Sequence, residues 1–291
     1  MGGLGNQMFQ YAAARSLALR NDADLVIDSW SGFVRDYQYK RSYELNAFSI
    51  TGRLSTPLEK VPFWTELVIN KLVKSRSTKD ISLHYYGVLI QDLNNEFTER
   101  VFNYSMGKNC WMTGYWQSSN YFNGIESIIL TELTPPTPVD NRCIQLGEKM
   151  RSVNSVALGV RVYEESSNPN VHGRDGKLKS IAEINDAIYS LTSDQKEVCF
   201  FIFCTHNLPI LDKLNFQGNN VTFVTQDEGF KDATQSLWLM TQCRHHLFTN
   251  STFYWWGAWL SRKNYLLAEQ EIYCADNFIN KDSVELEWNI F

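Results

Sequence analysis

In the first part of the chain, only a few segments show a regular pattern of hydrophobic and polar positions. From residue 7 to residue 20 the apolar side chains recur at helical spacing, which predicts an amphipathic helix. The apolar run at 24–28 predicts a buried strand, and the aromatic run at 111–117 predicts another. A further helix is predicted at 123–133, so this part of the chain is expected to contain both helices and strands.

In the second part of the chain, segments with strand and helix patterns alternate regularly. Strands are predicted at 155–162, 198–204, 221–224 and 247–249, with helical segments between them. This alternation predicts a parallel sheet that is covered by helices on both faces. Ligands bind beyond the carboxyl ends of the strands in such sheets, and Arg161, His206 and Asp227 all fall at those ends.

Prolines and small residues interrupt the pattern at 134–138, directly after a predicted helix. Such a segment stops a helix and suits a linker, so we predict a domain boundary there. The predicted domains are 1–138 and 139–275. Residues 276–291 form a C-terminal tail, and one course open to it is a return to the first domain.

The composition narrows the class of protein. Lys and Arg total 27 against 32 Asp and Glu, a formal charge of -5, so the chain lacks the basic field that attracts nucleic acid. The six cysteines are scattered without a C-x-x-C pattern, which favours a reducing, cytoplasmic setting. The longest apolar runs are far shorter than the ~20 residues that span a bilayer. Any membrane contact is therefore expected to be peripheral, at the inner face, through the basic end of a helix predicted at 65–74.

The segment that leads into the first helix carries three glycines in four positions, followed by two side-chain amides. Glycines let the backbone bend sharply and approach a ligand, and the N–H groups at a helix start attract anions. Gly3, Gly5, Asn6 and Gln7 are therefore candidate ligand-binding residues. The segment is not a nucleotide fingerprint, because G-x-G-x-x-G would need a glycine in place of Met8. A tight turn without a ligand is the alternative.

Aromatic residues at the end of the strand predicted at 111–117 are candidates for sugar binding. Aromatic faces suit sugar rings, although they also fill protein cores. We therefore expect Tyr115, Trp116 and Gln117 to form a sugar-facing platform. The alternative is a strand that exposes Tyr115 and Trp116 without binding a ligand.

Polar residues also mark the start of the helix predicted after the last strand. Asn250, Ser251 or Thr252 is a good helix cap, and the hydroxyl and N–H groups at such a position also suit a phosphate. No metal site is predicted. His245 and His246 are adjacent and point apart on any regular element, so a buried or solvated pair is the favoured interpretation.

Four stretches of the chain together resemble glycosyltransferase family 11, the α-1,2-fucosyltransferases. They are Gly2 to Ala12, Gly114 to Gln117 with Tyr121 and Phe122, Leu239 with Met240, and Asn250 to Leu260. The resemblance implies an α/β, GT-B-like fold with two Rossmann-type domains facing a cleft. It makes 1–138 the acceptor-side domain and 139–275 the nucleotide-sugar-binding domain. Because only Met1 precedes the glycine segment, the first domain could lack its first strand, which would leave an unpaired sheet edge.

The resemblance also implies an activity. This is an inverting, metal-independent transfer of L-fucose from GDP-fucose to the 2-hydroxyl of a galactoside, in the synthesis of a surface polysaccharide. The partners would be a sugar nucleotide and an oligosaccharide acceptor, with no cofactor. The enzyme must stabilise a departing diphosphate and deprotonate an acceptor hydroxyl. Arg161 and the helix start at Asn250 would bind the diphosphate, and the amides of the glycine segment would face the diphosphate or the acceptor.

The family pattern His-x-Arg-Arg-x-Asp is altered in this chain. The segment from Gly159 to Glu164 occupies it, so Arg161 is retained and Glu164 can replace the acid, while the histidine and the second arginine are absent. Glu164, Arg161 and His206 are the candidate catalytic residues, and Glu165 is a further candidate base. Three hypotheses remain open: a fucosyltransferase, a transferase that uses another deoxy-sugar nucleotide, and a relative that binds glycan or nucleotide without transfer.

Overall fold

A computed structural model describes residues 2–34, 36, 37, 39–60, 80–84, 87–107, 109–161, 178–193, 197–278 and 280–291. The chain divides into two compact units, Met1–Glu132 and Leu133–Phe291. The boundary predicted at 138 lies later than this division, because the proline segment packs with the second unit. Leu133 is fully buried, and Thr134 Oγ1 accepts a hydrogen bond of 3.2 Å from Lys263 Nζ.

The first unit begins with a long helix and carries two small sheets. The helix predicted from residue 7 is confirmed as α1 (Leu4–Arg20). The strands are β1 (Val26–Ile27), which pairs in parallel with β2 (Arg53–Leu54), and β4 (Gly87–Gln91), which pairs antiparallel with β3 (Ile81–His84) and parallel with β5 (Cys110–Thr113). The remaining elements are α2 (Glu99–Phe102), α3 (Glu126–Glu132) and short 3-10 helices at Leu45–Ala47 and Ser119–Phe122. The helix predicted at 65–74 lies outside the described residues.

A buried polar network ties α1 to the end of the first unit. Glu132 accepts hydrogen bonds from Tyr11 Oη and Thr51 Oγ1 at 2.5 Å each, and Arg15 forms an ion pair with it at 3.1 Å. Burial alone would raise the pKa of Glu132, but the hydrogen bonds from Arg15, Thr51 and Tyr11 outweigh it and hold this pKa below its usual value. Burial, and then the bond to Glu132, raise the pKa of Tyr11. The carboxylate thus stays charged and fixes α1 against the end of α3.

The second unit contains the parallel sheet that the alternating pattern predicts. Its strands are β6 (Asn154–Gly159), β7 (Val198–Phe203), β8 (Asn220–Val224), β9 (His245–Phe248), β10 (Ile272–Cys274) and β11 (Asn289–Ile290). Their spatial order is β11-β10-β9-β6-β7-β8, and every neighbouring pair is parallel. Counted from β6, this is the order 3-2-1-4-5-6 of the Rossmann fold. The helices are α4 (Asn141–Ser152), α5 (Ile181–Ser193), α6 (Ala233–Thr241) and α7 (Thr252–Ser261), with 3-10 turns at Pro209–Lys213, Leu267–Glu269 and Lys281–Ser283.

The C-terminal tail belongs to the second unit, which differs from the course back to the first domain considered above. Its strand β11 continues the sheet beside β10. Trp288 is buried, with its ring 5.5 Å from the rings of both Phe248 and Trp255. The open edge of β10 and the aromatic surface of α7 explain this position, because both gain hydrogen bonds or burial from the tail.

The core of the second unit shows why its strands are continuous apolar runs. Val156, Phe200, Ile202 and Leu247 from the middle strands are fully buried, and Ile188 of α5 packs with them. A parallel sheet covered on both faces needs apolar side chains on both sides of each strand. The α/β class predicted from the sequence is confirmed. None of the helices in the described ranges is long and apolar enough to cross a lipid bilayer.

Candidate functional site

The strand order of the second unit reverses between β6 and β9, which makes the carboxyl ends of these strands the expected ligand crevice. Arg161 follows β6 there, and Thr249 follows β9. The backbone N–H of Arg161 donates to Thr249 Oγ1 at 2.8 Å, and the N–H of Thr249 donates to the carbonyl of Gly159 at 3.0 Å. The arginine is therefore anchored at the reversal point, where the sequence predicted it.

Helix α7 starts at the same crevice. Ser251 is its N-cap residue, but the Ser251 side chain makes no capping hydrogen bond. The Asn250 amide donates to the carbonyl of Asn277 at 2.9 Å, which ties the helix start to the segment after β10. The polar residues Asn250, Ser251 and Thr252 thus lie where a helix start favours an anion.

Gly159, which stands where the family pattern has a histidine, is packed under an aromatic ring. A Cβ at position 159 would lie 2.4 Å from Cγ of Tyr254. Tyr254 Oη donates to the carbonyl of Val160 at 3.2 Å, which holds the ring in place. A side chain at position 159 therefore has no room in this arrangement, and the glycine lets α7 approach β6 closely.

A second polar group lies at the ends of β7 and β8. His206 Nδ1 is 3.0 Å from Asp227 Oδ1, and the two side chains are each 46% exposed. Asn207 donates through its backbone N–H to Asp227 and through its side chain to Glu228. The Asn207 backbone bond, and then His206, lower the pKa of Asp227. The structure therefore brings together His206 and Asp227 as the strand-end pattern predicts, and adds Asn207, whose only signal was its position after a strand.

The glycine turn of the first unit uses Gln7 internally. Gln7 is 3% exposed, and its amide nitrogen donates to the carbonyls of Gly2 at 3.0 Å and Ser42 at 2.9 Å. Its amide oxygen accepts from the N–H of Glu44 at 3.0 Å. The side chain points into the protein because these three backbone groups need partners. Gln7 therefore builds the turn, whereas Gly3 is the N-cap residue of α1 and is only partly buried.

The first two motifs of the first unit come together. Gln117 Nε2 donates to Asn6 Oδ1 at 3.0 Å, and Gln10 Nε2 donates to the carbonyl of Gly114 at 2.9 Å. Tyr115 is 37% exposed and stays available for a ligand.

Trp116 does not belong to an exposed aromatic platform. It is 2% exposed and packs edge-on against Tyr121 at 5.3 Å. Its backbone turns at a φ of 56°, with the N–H held by Asp92 Oδ2 at 3.0 Å. This turn points the indole into the core while Tyr115 faces outward, which corrects the predicted platform.

In the described ranges, no cluster of three or more His, Cys, Asp or Glu side chains is arranged to hold a metal ion. His245 and His246 are both buried in β9. His245 Nδ1 accepts from the N–H of Glu271 at 2.8 Å, and its Nε2 lies 2.9 Å from Asn154 Oδ1. This pair is part of the core. Glu164 and Glu165 lie outside the described residues.

Comparisons with known proteins identify the family. The profile described as Glycosyl transferase family 11 matches residues 1–291. An Alpha-1,2-colitosyltransferase of Escherichia coli is 26% identical over 270 residues, which cover 91% of this chain and 86% of the relative. The O-antigen biosynthesis glycosyltransferase WbnK of Escherichia coli is 26% identical over 280 residues, covering 89% and 88%. The solved fucosyltransferase NodZ from Bradyrhizobium aligns with a TM-score of 0.48 and 17% identity, over 88% of each chain. Because the family profile spans the whole chain, the protein belongs to glycosyl transferase family 11, as its motifs predict.

Proposed function

We propose that this glycosyltransferase moves L-fucose from GDP-fucose to the 2-hydroxyl of a galactoside, with inversion and without a metal ion. The acceptor is an oligosaccharide of a surface polysaccharide. The observation that carries the proposal is the crevice at the reversal point of the second unit's sheet, where Arg161 and the start of α7 lie at neighbouring strand ends. The family and the curated relatives support the reaction class.

In this proposal, Arg161 and the start of α7 hold the donor's diphosphate. The planar guanidinium can form two parallel hydrogen bonds with phosphate oxygens, and the helix start adds N–H groups and a favourable dipole. Asn250, Ser251 and Thr252 supply the polar side chains there. As the sugar leaves, charge grows on the diphosphate, so donors fixed in advance stabilise the transition state more than the ground state.

The first unit contributes to substrate binding through its glycine turn. Gly3, Gly5 and Asn6 are the proposed contacts, while Gln7 holds the turn in shape. Tyr115 is the proposed aromatic contact for a sugar ring, and Gln117 acts through Asn6, to which it is hydrogen-bonded.

His206 and Glu164 are the proposed candidates for the base that accepts the acceptor's proton. His206 is supported by its contact with Asp227, since a carboxylate on Nδ1 orients the ring and leaves Nε2 to accept a proton.

A colitosyl donor is the second candidate. It is favoured by the name of one relative, the Alpha-1,2-colitosyltransferase, which is 26% identical to this chain. This candidate shares the diphosphate site and differs in the sugar that is transferred. A donor assay therefore separates the two candidates directly.

The decisive experiment is a donor-by-acceptor assay with linkage analysis of the product by NMR. Purified protein is incubated with GDP-fucose or GDP-colitose and a galactoside, with and without a metal chelator. We expect transfer of fucose to the 2-hydroxyl that the chelator does not reduce. Turnover with GDP-colitose alone would favour the second candidate, and no transfer from any nucleotide donor would leave a relative that only binds.

The diphosphate assignment has its own test. Arg161→Ala should weaken GDP binding at least tenfold in calorimetry, because a charged hydrogen bond contributes about 1.5–3 kcal/mol. Arg244→Ala is the matched control, since Arg244 precedes β9 and lies at the opposite end of the strand. Equal GDP affinity in both variants would remove Arg161 from the site.

A further inference from the structure

An arginine lies against the helix start of the first unit. A Cβ placed on Gly3 would be 3.7 Å from Nε and 3.8 Å from Cζ of Arg41. Gly3 is the N-cap residue of α1, which has 17 residues. The guanidinium of Arg41 therefore sits at the positive end of a long helix, where Gly3 leaves the space for it.

The surrounding residues hold Arg41 in this position. The carboxylate of Asp36 accepts the backbone N–H groups of Tyr39 at 3.0 Å and Arg41 at 3.3 Å. The ring of Tyr39 lies under the guanidinium, 4.2 Å from Cζ to the ring centroid. Gln7 then fixes the following residues through the carbonyl of Ser42. The cation is thus positioned by contacts that leave its N–H groups directed elsewhere than to Asp36.

The position is electrostatically unfavourable without an anion. The N-terminus of a helix carries a partial positive charge, so a cation there is repelled. The first turn of α1 has no acidic residue, and none of the ion pairs among the described residues includes Arg41. Arg20 makes the contrast on the same helix: it lies in the last turn, where the dipole favours a cation, with Cζ 3.6 Å from the centroid of the Phe102 ring.

We infer that Arg41 is a ligand-contacting residue that binds phosphate oxygens of the sugar nucleotide's diphosphate, and this inference rests on the proposed function. A diphosphate is an anion that suits both the guanidinium fork and the N–H groups at a helix start. Its charge removes the repulsion between Arg41 and α1. Gln7 is a positioning residue in this arrangement, because it connects the glycine turn to the segment that carries Arg41.

Calorimetry with three proteins tests the inference. The wild type, Arg41→Gln and the control Arg20→Gln are titrated with GDP and with guanosine. Both variants lose a cation that is stacked on an aromatic ring of the same unit. We expect Arg41→Gln to weaken GDP binding about 10- to 100-fold, while Arg20→Gln leaves it unchanged. Guanosine affinity should be equal in all three proteins, because guanosine carries no phosphate.

Thermal unfolding in phosphate-free buffer separates an anion site from a purely structural role. Without an anion, Arg41→Gln should not lower the Tm, since the lost stacking is offset by relief of the repulsion at α1. Arg20→Gln should lower it. A loss of Tm in Arg41→Gln with unchanged GDP affinity would assign Arg41 to folding and overturn the inference.

The result also distinguishes this inference from the proposed function. If the wild type binds GDP and only Arg41→Gln behaves like the wild type, the inference fails and the proposed function stands. If the wild type binds no GDP, the proposed function fails. In that case pyrophosphate, titrated into Arg161→Ala with and without Arg41→Gln, decides on Arg41: equal affinity overturns the inference, and weaker binding without Arg41 supports an anion site there.

Discussion

The packing of Tyr254 on Gly159 leads to a sharp prediction about the substitution Gly159→Ala. The added Cβ would lie 2.4 Å from Cγ and 2.5 Å from Cδ2 of Tyr254. Carbon atoms in contact prefer about 3.5–4.0 Å, so the ring must retreat by about 1 Å or more. Because Tyr254 lies in the first turn of α7, this retreat also displaces the helix start that is proposed to bind the diphosphate.

The magnitude follows from two costs. Overpacking a buried site costs about 1–3 kcal/mol. Losing the hydrogen bond from Tyr254 Oη to the carbonyl of Val160, which is 3.2 Å long, costs about 0.5–1.5 kcal/mol more. A total of about 2–4 kcal/mol corresponds to a Tm lower by roughly 5–15 °C. GDP affinity should fall at least tenfold, because a displacement of about 1 Å disturbs a pre-arranged site strongly.

The assay combines differential scanning calorimetry with GDP titration. Gly107→Ala is the matched control, since a Cβ at Gly107 meets no atom within 4 Å. Adding Tyr254→Ala to Gly159→Ala should make the combined loss smaller than the sum of the single losses, because the smaller side chain removes the collision. If Gly159→Ala had the Tm and GDP affinity of the wild type, the contact between position 159 and Tyr254 would not limit this site.

Two further predictions concern stability. Burial lowers the pKa of His245 to about 4 and of His246 to about 3, against about 6.5 in an unfolded chain. The unfolded state therefore binds more protons as the pH falls below 6.5, and the free energy of unfolding, measured with urea, should drop by about 2 kcal/mol per histidine between pH 8 and pH 5. His246→Leu should remove about half of this drop, and an unchanged drop would contradict the assignment. Glu132→Gln should lower the free energy of unfolding by about 3 kcal/mol, since it leaves the half of the ion pair at Arg15 buried without its partner; a loss below 1 kcal/mol would show that the network is not coupled to folding.

The sequence predicts the second unit well because its physical signals are local. Each middle strand is a short apolar run bounded by polar residues, since a parallel sheet buries both faces. Arg161 was recognised because a charge at the end of such a run has few explanations other than an anion. The predicted alternation, the strand-end position of His206 and the helix start at Ser251 are confirmed for the same reason.

Other features depend on partners that are distant in sequence. An amide such as Gln7 reads the same whether it faces a ligand or the carbonyl of Ser42, and only the fold decides. Trp116 and Tyr115 are adjacent aromatic residues, and the positive φ at Trp116 determines which of them is buried. The segment with Arg41 shows only a short amphipathic pattern, with nothing to place it beside Gly3. Strand β11 is two residues long and carries no strand pattern of its own.

The strand order of the second unit has a consequence for its synthesis on the ribosome. Strands β6, β7 and β8 are made consecutively and can pair as they emerge, whereas β9, which covers the other edge of β6, follows only at His245. Until then, the apolar edge of β6 lacks its second neighbour, and such an edge promotes aggregation and attracts chaperones. The crevice with Arg161 forms along this late seam. We therefore expect slow translation or chaperone depletion to reduce the yield of active protein through the second unit.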